Sequence, residues 1–173
     1  MKMITSFLLF FFLLACGNGG SNAEAPETEA RELTTIYLVR HAEKEGGEDP
    51  ELTSAGRQRA QHLRNELSGV QLAAVYSTDT RRTRATAEPT ATAQQLTIRD
   101  YDATQLSALA ERLQKEHRGQ TVLVVGHSNT TPALANIILG SQELADFDEE
   151  DYGNLLIVTV NKGGGAQVQR KRY

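Results

Sequence analysis

Apolar residues along this chain fall into two alternating textures. Continuous runs occupy residues 35–39 (TIYLV), 72–76 (LAAVY) and 121–125 (TVLVV), and uninterrupted apolar character of that length suits central parallel strands buried on both faces. A weaker strand is expected near residues 97–101. Residues 155–160 and 167–171 flank the glycine turn at 163–165 and read as an edge hairpin. Between these runs the apolar residues recur at helical spacing. Thr53 is placed to N-cap a helix with an inner stripe of Gly56, Ala60, Leu63 and Leu67. A second helix begins near Thr80, and Pro89 should kink or restart it. A third takes Thr104 as its cap and Leu106, Leu109, Ala110 and Leu113 as its stripe, ending near Gly119. The last begins around Thr131, with Pro132 in its first turn and Leu134, Ala135, Ile137 and Ile138 facing inward. No internal repeat is evident. Strands alternating with helices predict an α/β fold: a three-layer αβα sandwich on a mostly parallel sheet, with an antiparallel C-terminal edge hairpin.

The first thirty-odd residues break this pattern. Lys2 precedes an apolar run over residues 7–14 that is too short to span a bilayer, and Leu13-Leu14-Ala15-Cys16 follows. That tetrapeptide resembles the lipobox of bacterial lipoproteins, which implies cleavage before Cys16 and lipidation of that residue. The competing reading is an ordinary secretory signal, or a short anchor, with an incidental cysteine. Residues 17–31 (GNGGSNAEAPETEAR) are small and acidic and read as a flexible tether. The expected organisation is therefore a signal peptide over residues 1–16, a tether over 17–31 and one domain over 32–173. It would be held through a lipid on Cys16 to a membrane of the bacterial cell envelope, outside the cytoplasm.

Composition narrows the function classes. With 39% hydrophobic and 23% charged residues the body is globular. A net charge of −4 argues against a nucleic-acid binder. The single cysteine excludes an internal disulfide framework. Two histidines at strand ends, without a nearby cysteine or a His-x-x-x-His spacing, make a poor zinc site, so neither a metal nor a cofactor is implied.

Arg40-His41 follows the first central strand, residues 77–82 follow the second, and Gly126-His127-Ser128 follows the third. The C-terminal edge of a parallel sheet is where ligands bind, and helix N-termini there favour anions. Phosphoryl transfer needs a nucleophile, cations for the equatorial oxygens and an acid for the leaving oxygen. His41 is a candidate nucleophile, since a neutral imidazole nitrogen attacks phosphorus when the other nitrogen is held as a donor. Arg40 and Arg82 offer planar forks that match phosphate oxygens, and His127 adds a positive donor if protonated. Any one of these residues alone more often has a structural or solvent-facing role. Convergence of two histidines and two arginines at three strand ends is the informative feature.

Four ordered motifs then carry a family resemblance. Residues 38–43 (LVRHAE) resemble the Arg-His-Gly signature of the histidine phosphatase superfamily, and residues 52–60 (LTSAGRQRA) its Leu-Thr-x-x-Gly-x-x-x-Ala helix start. Residues 76–87 (YSTDTRRTRATA) resemble its Tyr-Ser segment, and residues 124–129 (VVGHSN) its second-histidine motif. The resemblance implies His41 as nucleophile and Arg40, Arg82 and His127, with Ser128 beside them, as the phosphate pocket. The register of Ser77 and Thr86-Ala87 selects Arg82, with Arg81 as the alternate and Arg84 as a surface residue. Ala42 stands where the family has glycine, which is tolerated unless the position needs a positive φ. Ser128 follows His127 where some members carry their acid. The remaining positional candidate is Asp102, with Glu43 and Asp100 behind it, although Asp102 equally reads as a cap of the helix after it. His62 and His117 are assigned no catalytic role.

Only 45 positions separate Arg82 from His127, too few for the long covering insertion of the phosphoglycerate mutases. An open pocket favours hydrolysis over return of the phosphoryl group to a retained intermediate. The expected activity is hydrolysis of phosphomonoesters or phosphohistidine, on a phosphorylated small molecule or a phosphoprotein. The alternatives are a mutase-type phosphotransferase and an inactive lipoprotein that binds phosphate-bearing ligands. Two acidic stretches, residues 43–51 and 143–151, read as solvated loops; if they face the pocket mouth instead, they should disfavour polyanionic substrates.

Overall fold

The computed structural model describes residues 33–173; the expected signal peptide, Cys16 and the expected tether lie outside the described residues. Ten elements follow in order: β1 (Thr34–Arg40), α1 (Ser54–Glu66), β2 (Ala74–Ser77), α2 (Arg81–Ala93), β3 (Ile98–Asp100), α3 (Leu106–Glu116), β4 (Thr121–Gly126), α4 (Thr130–Leu139), β5 (Asn154–Val160) and β6 (Ala166–Arg172). They form one six-stranded sheet in the order β3-β2-β4-β1-β5-β6. β1, β2, β3 and β4 pair in parallel, while β5 joins β1 antiparallel and β6 joins β5 antiparallel. The expected α/β architecture and its antiparallel edge hairpin are what the chain adopts, with Gly164 at φ +87° in the hairpin turn.

Alternation within the central strands divides the core into two layers. Ile36 and Leu38 of β1 and Val122 and Val124 of β4 pack with Leu109, Leu113 and Leu134 from α3 and α4. Val39, Leu123 and Val125 face the other way, onto Leu63, Leu67, Ala87 and Ala91 from α1 and α2 and the turn after α1. Both faces of the central strands are therefore buried, which is why those strands read as unbroken apolar runs.

Local chemistry sets the element ends. The Thr53 hydroxyl accepts from the Gly56 N–H at 3.0 Å and caps α1. A Cβ on Gly56 would stand 2.1 Å from the Glu43 carbonyl oxygen, so the start of α1 presses against the chain just past β1. Two expectations are corrected and a third is narrowed. α2 runs through Pro89 as one helix, so of the expected kink or restart the restart does not occur. The residue before α3 is Gln105, not Thr104; Thr104 instead donates its N–H and hydroxyl to Asp102. Ile137 does not face inward: it is 41% exposed and lines a surface groove with Ala133, Asn136 and Leu144, because the buried stripe of α4 takes Leu134, Ala135 and Ile138.

Candidate active site

β1, β2 and β4 end side by side, and the turns after them, with the first turn of α2, bring together His41, Thr78, Arg82 and His127. The β1–β4 pairing extends past the strands through a bond from the His41 N–H to the Gly126 carbonyl at 2.9 Å. His41 is 3% exposed, and its ring lies 5.6 Å from that of His127, centroid to centroid. The His41 Nδ1 is 2.8 Å from the Ala42 carbonyl oxygen. A carbonyl only accepts, so Nδ1 carries the proton and Nε2 keeps its lone pair. Burial drives the His41 pKa down to about 3, aided by the charges of Arg40, Arg82 and His127 and opposed by the Ala42 carbonyl. The ring is therefore neutral across the physiological range.

Ala42 is fully buried and its φ is not positive, so the position that is glycine in the resembling motif makes no demand here that alanine cannot meet. Its N–H donates to the Thr86 hydroxyl at 2.9 Å, and that hydroxyl donates to the Arg82 carbonyl at 2.8 Å. One threonine thus ties the histidine turn to the helix that carries Arg82.

His127 is held from both sides. An Arg82 guanidinium nitrogen lies 3.5 Å from Nδ1, which must accept since the guanidinium only donates. Nε2 then donates to the Thr78 hydroxyl at 3.0 Å, and Thr78 donates onward to Thr83 at 3.0 Å. Burial, with the charges of Arg82 and Arg40, lowers the His127 pKa to about 4. A phosphate dianion between the arginines would reverse their effect and draw a proton onto this ring. A Cβ at Gly126 would stand 2.7 Å from the Tyr101 hydroxyl and 2.9 Å from the Thr130 hydroxyl, so a larger residue there requires those side chains to shift. Of the backbone donors after β4, the His127 N–H is taken by the Thr130 hydroxyl and the Thr130 N–H by Asn129 Oδ1.

Arg40 is 1% exposed. One terminal nitrogen donates to the carbonyls of Asp148, Glu149 and Asp151 at 2.8, 3.0 and 3.4 Å, and the guanidinium stacks 4.2 Å from the centre of the Tyr152 ring. Its buried Nε has no partner, and neither has that of Arg82. Buried N–H donors without partners are costly unless an acceptor reaches them. The Nε and remaining terminal nitrogen of Arg40 present the bidentate edge that fits two phosphate oxygens.

The clustered arginines separate by partner. Arg81 pairs with Glu51 and Arg84 with Asp79 and Asp100, all on the surface, and only Arg82 reaches His127. The three acids singled out in the sequence are engaged elsewhere. Asp102 is exposed and accepts from the Thr104 N–H and hydroxyl, both at 2.8 Å, and those bonds hold its carboxyl below the usual carboxylate range. Its structural part is to shape the turn before α3. Glu43 is gripped by Arg59, and Asp100 by Arg84. Sequence reasoning missed Asp49 and Glu149, whose acidic stretches are not merely solvated loops. Asp49 lies 3.4 Å from a terminal nitrogen of Arg82. Glu149 accepts from the Ser128 hydroxyl at 3.2 Å and lies 3.7 Å from a terminal nitrogen of Arg40. His117 is buried, bonded to the Tyr76 hydroxyl and Gln120. Among the described residues, no group of three His, Cys, Asp or Glu side chains is placed to hold a metal ion.

Residues 36–105 match the family profile of the Histidine phosphatase superfamily (branch 1). This match, together with the solved structures that share the fold, supports the histidine phosphatase superfamily. The matched span takes in the first three of the four motifs, from β1 to the turn before α3. Solved structures share the fold. The alpha-ribazole phosphatase from Shigella flexneri has 16% identity and a TM-score of 0.67, covering 80% of this chain and 96% of its own. The protein histidine phosphatase SixA, complexed with tungstate, has 19% identity and a TM-score of 0.66, over 80% and 96%. A mycobacterial glucosyl-3-phosphoglycerate phosphatase has 15% identity and a TM-score of 0.65, over 82% and 98%. No curated protein sequence matches the chain significantly.

Proposed function

We propose that this protein is a phosphatase that hydrolyses phosphomonoesters or phosphohistidine through a phosphohistidine on His41. The observation that carries the reading is the His41 tautomer: the Ala42 carbonyl takes the Nδ1 proton, so a neutral Nε2 lone pair is available within a cluster of two arginines and a second histidine. Nε2 attacks phosphorus as the bond to the leaving group breaks. Arg40, Arg82 and His127 take up charge on the equatorial oxygens. Water then attacks the phosphohistidine, Nε2 departs, and phosphate is released. Because Glu43, Asp49, Asp100, Asp102 and Glu149 are held in ion pairs or turns, leaving groups that depart as stable anions turn over fastest.

The test is a steady-state assay with an aryl phosphate. Linear phosphate release that disappears in His41→Ala, together with an acid-labile, base-stable phosphoryl label on the wild-type chain, supports the reading. Phosphate binding without release in either form would leave a binding protein instead. We further propose that Cys16 carries the lipid that tethers the domain at a bacterial envelope membrane. Metabolic labelling with a fatty acid that is lost in Cys16→Ala supports this, and unchanged labelling overturns it.

A further inference from the structure

The two forks that would hold a phosphoryl group each have a carboxylate nearby. Asp49 stands 3.4 Å from Arg82, and Glu149 stands 3.7 Å from Arg40 with the Ser128 hydroxyl on its other oxygen. They come from separate loops, one between β1 and α1 and the other between α4 and β5. Neither ion pair is tight, and Glu149 is 77% exposed. Beneath them Arg40 is buried with an unpartnered Nε, a donor that an incoming anion satisfies and that neither carboxylate reaches. A phosphoryl group drawn to that edge and to Arg82 takes over both guanidinium charges. Asp49, which keeps only the Arg81 N–H at 3.1 Å, and Glu149 then lose their guanidinium counter-charges while remaining beside the bound group. An ammonium on the substrate restores the balance, whereas a second anion adds repulsion.

We propose that Asp49 and Glu149 make this pocket selective for small phosphorylated compounds that carry a positive charge a few bonds from the phosphoryl group, and against those carrying a second anion there. The inference rests on the phosphate-binding reading of Arg40 and Arg82, and its test does not require turnover. Three non-hydrolysable ligands of matched size serve as probes: 2-aminoethylphosphonate, propylphosphonate and 3-phosphonopropionate. Titration calorimetry on the purified chain should rank them in that order, with about tenfold between the first and the last at low salt. Asp49→Asn and Glu149→Gln should each narrow the gap, and the double variant should reduce it to about threefold or less. Both replacements keep side-chain shape on exposed loops, and an unchanged thermal midpoint verifies the fold. Equal affinities in the wild type, a gap that survives in the double variant, or no binding of any of the three would overturn the proposal. If the ranking holds but an aryl phosphate is not hydrolysed, the hydrolytic reading fails and this one stands. A loss of kcat on every substrate in Glu149→Gln, without a change in ranking, would place that residue in the chemistry and remove it from selection.

Discussion

Arg59 grips both carboxylate oxygens of Glu43, at 2.9 and 2.6 Å, two residues past His41. Partial burial pushes the Glu43 carboxyl up, but the Arg59 bonds outweigh it and hold the group below its ordinary value. Arg59 also donates to the Tyr173 carbonyl at 2.9 Å, so one guanidinium ties the turn after β1, helix α1 and the residue after β6 together. Arg59→Ala should cost about 1–3 kcal/mol in denaturant unfolding, because it leaves a half-buried carboxylate unpaired. Since the Glu43 pKa is depressed in the folded state, this contribution is present above the unfolded-state value and fades as pH falls through the folded one. The difference between wild type and Arg59→Ala should therefore shrink in acid. A constant difference down to pH 3 would show that Arg59 acts by packing alone.

The two site histidines give a second pH signature. Their pKa values are lowered from 6.5 to about 3 and about 4 in the folded chain, so between pH 6.5 and 4 the unfolded state binds protons that the native state does not. Stability should be fully present above pH 6.5 and fall as pH drops through that window, by up to a few kcal/mol. His41→Gln and His127→Gln should each flatten the slope. For the aryl phosphate reaction, kcat/KM should show no acid limb near pH 6.5 arising from His41. A limb at 6.5 that coincides with titration of the His41 imidazole resonances in the wild-type chain would contradict the neutral, buried imidazole.

Arginine register is testable by three single replacements. Arg82→Ala removes the only guanidinium of its helix that touches His127, and kcat/KM should fall by about a hundredfold or more. Arg81→Ala and Arg84→Ala remove surface ion pairs with Glu51, Asp79 and Asp100 and should change kcat/KM by less than about threefold. Comparable losses for Arg82 and Arg84 would mean that the phosphate is held elsewhere.

Asp102 is separated from proton donation by the same kind of comparison. Its carboxylate accepts two bonds from Thr104 within its own turn. Asp102→Asn should leave the ratio of kcat for an alkyl phosphate to that for an activated aryl phosphate within about twofold, since loss of a general acid penalises only the poorer leaving group. A selective collapse on the alkyl phosphate would return Asp102 to the chemistry.

The parts of this molecule legible in the sequence are those decided by local or periodic physics. β1, β2 and β4 were readable because both faces of each are buried, and the Thr53 cap because its partner, Gly56, is three residues away. The strand ends alone place His41, Arg82 and His127 on one edge of the sheet. What escaped depends on distant partners. Asp49 meets Arg82 across 33 residues and Arg40 meets the Asp148 carbonyl across 108, and an acidic stretch looks the same in sequence whether it lines a pocket or faces water. Ile137 escaped for a different reason: helical spacing gives the direction of a stripe but not its width, and α4 buries only part of its apolar arc. Among the features that sequence hints at but cannot weigh, the glycine after Thr53 has the clearest cost.

A Cβ at Gly56 would stand 2.1 Å from the Glu43 carbonyl oxygen, 3.0 Å from its carbon and 3.1 Å from its nitrogen. These are backbone atoms of the turn that positions His41, so no flexible side chain can yield. Gly56→Ala therefore has two opposed effects. Alanine gains up to about 1 kcal/mol of helix propensity, but the clash requires α1 to retreat from the His41 turn or that turn to shift, at about 2–4 kcal/mol. The clash wins, and Gly56→Ala should lower the thermal midpoint and reduce phosphatase activity, whereas Gly69→Ala, with open space at its Cβ, should do neither. Displacement of the His41 turn is readable independently of activity, as a change in the His41 imidazole resonances by NMR. Native-like stability with native-like resonances in Gly56→Ala would show that the approach of α1 to Glu43 is looser than these distances require.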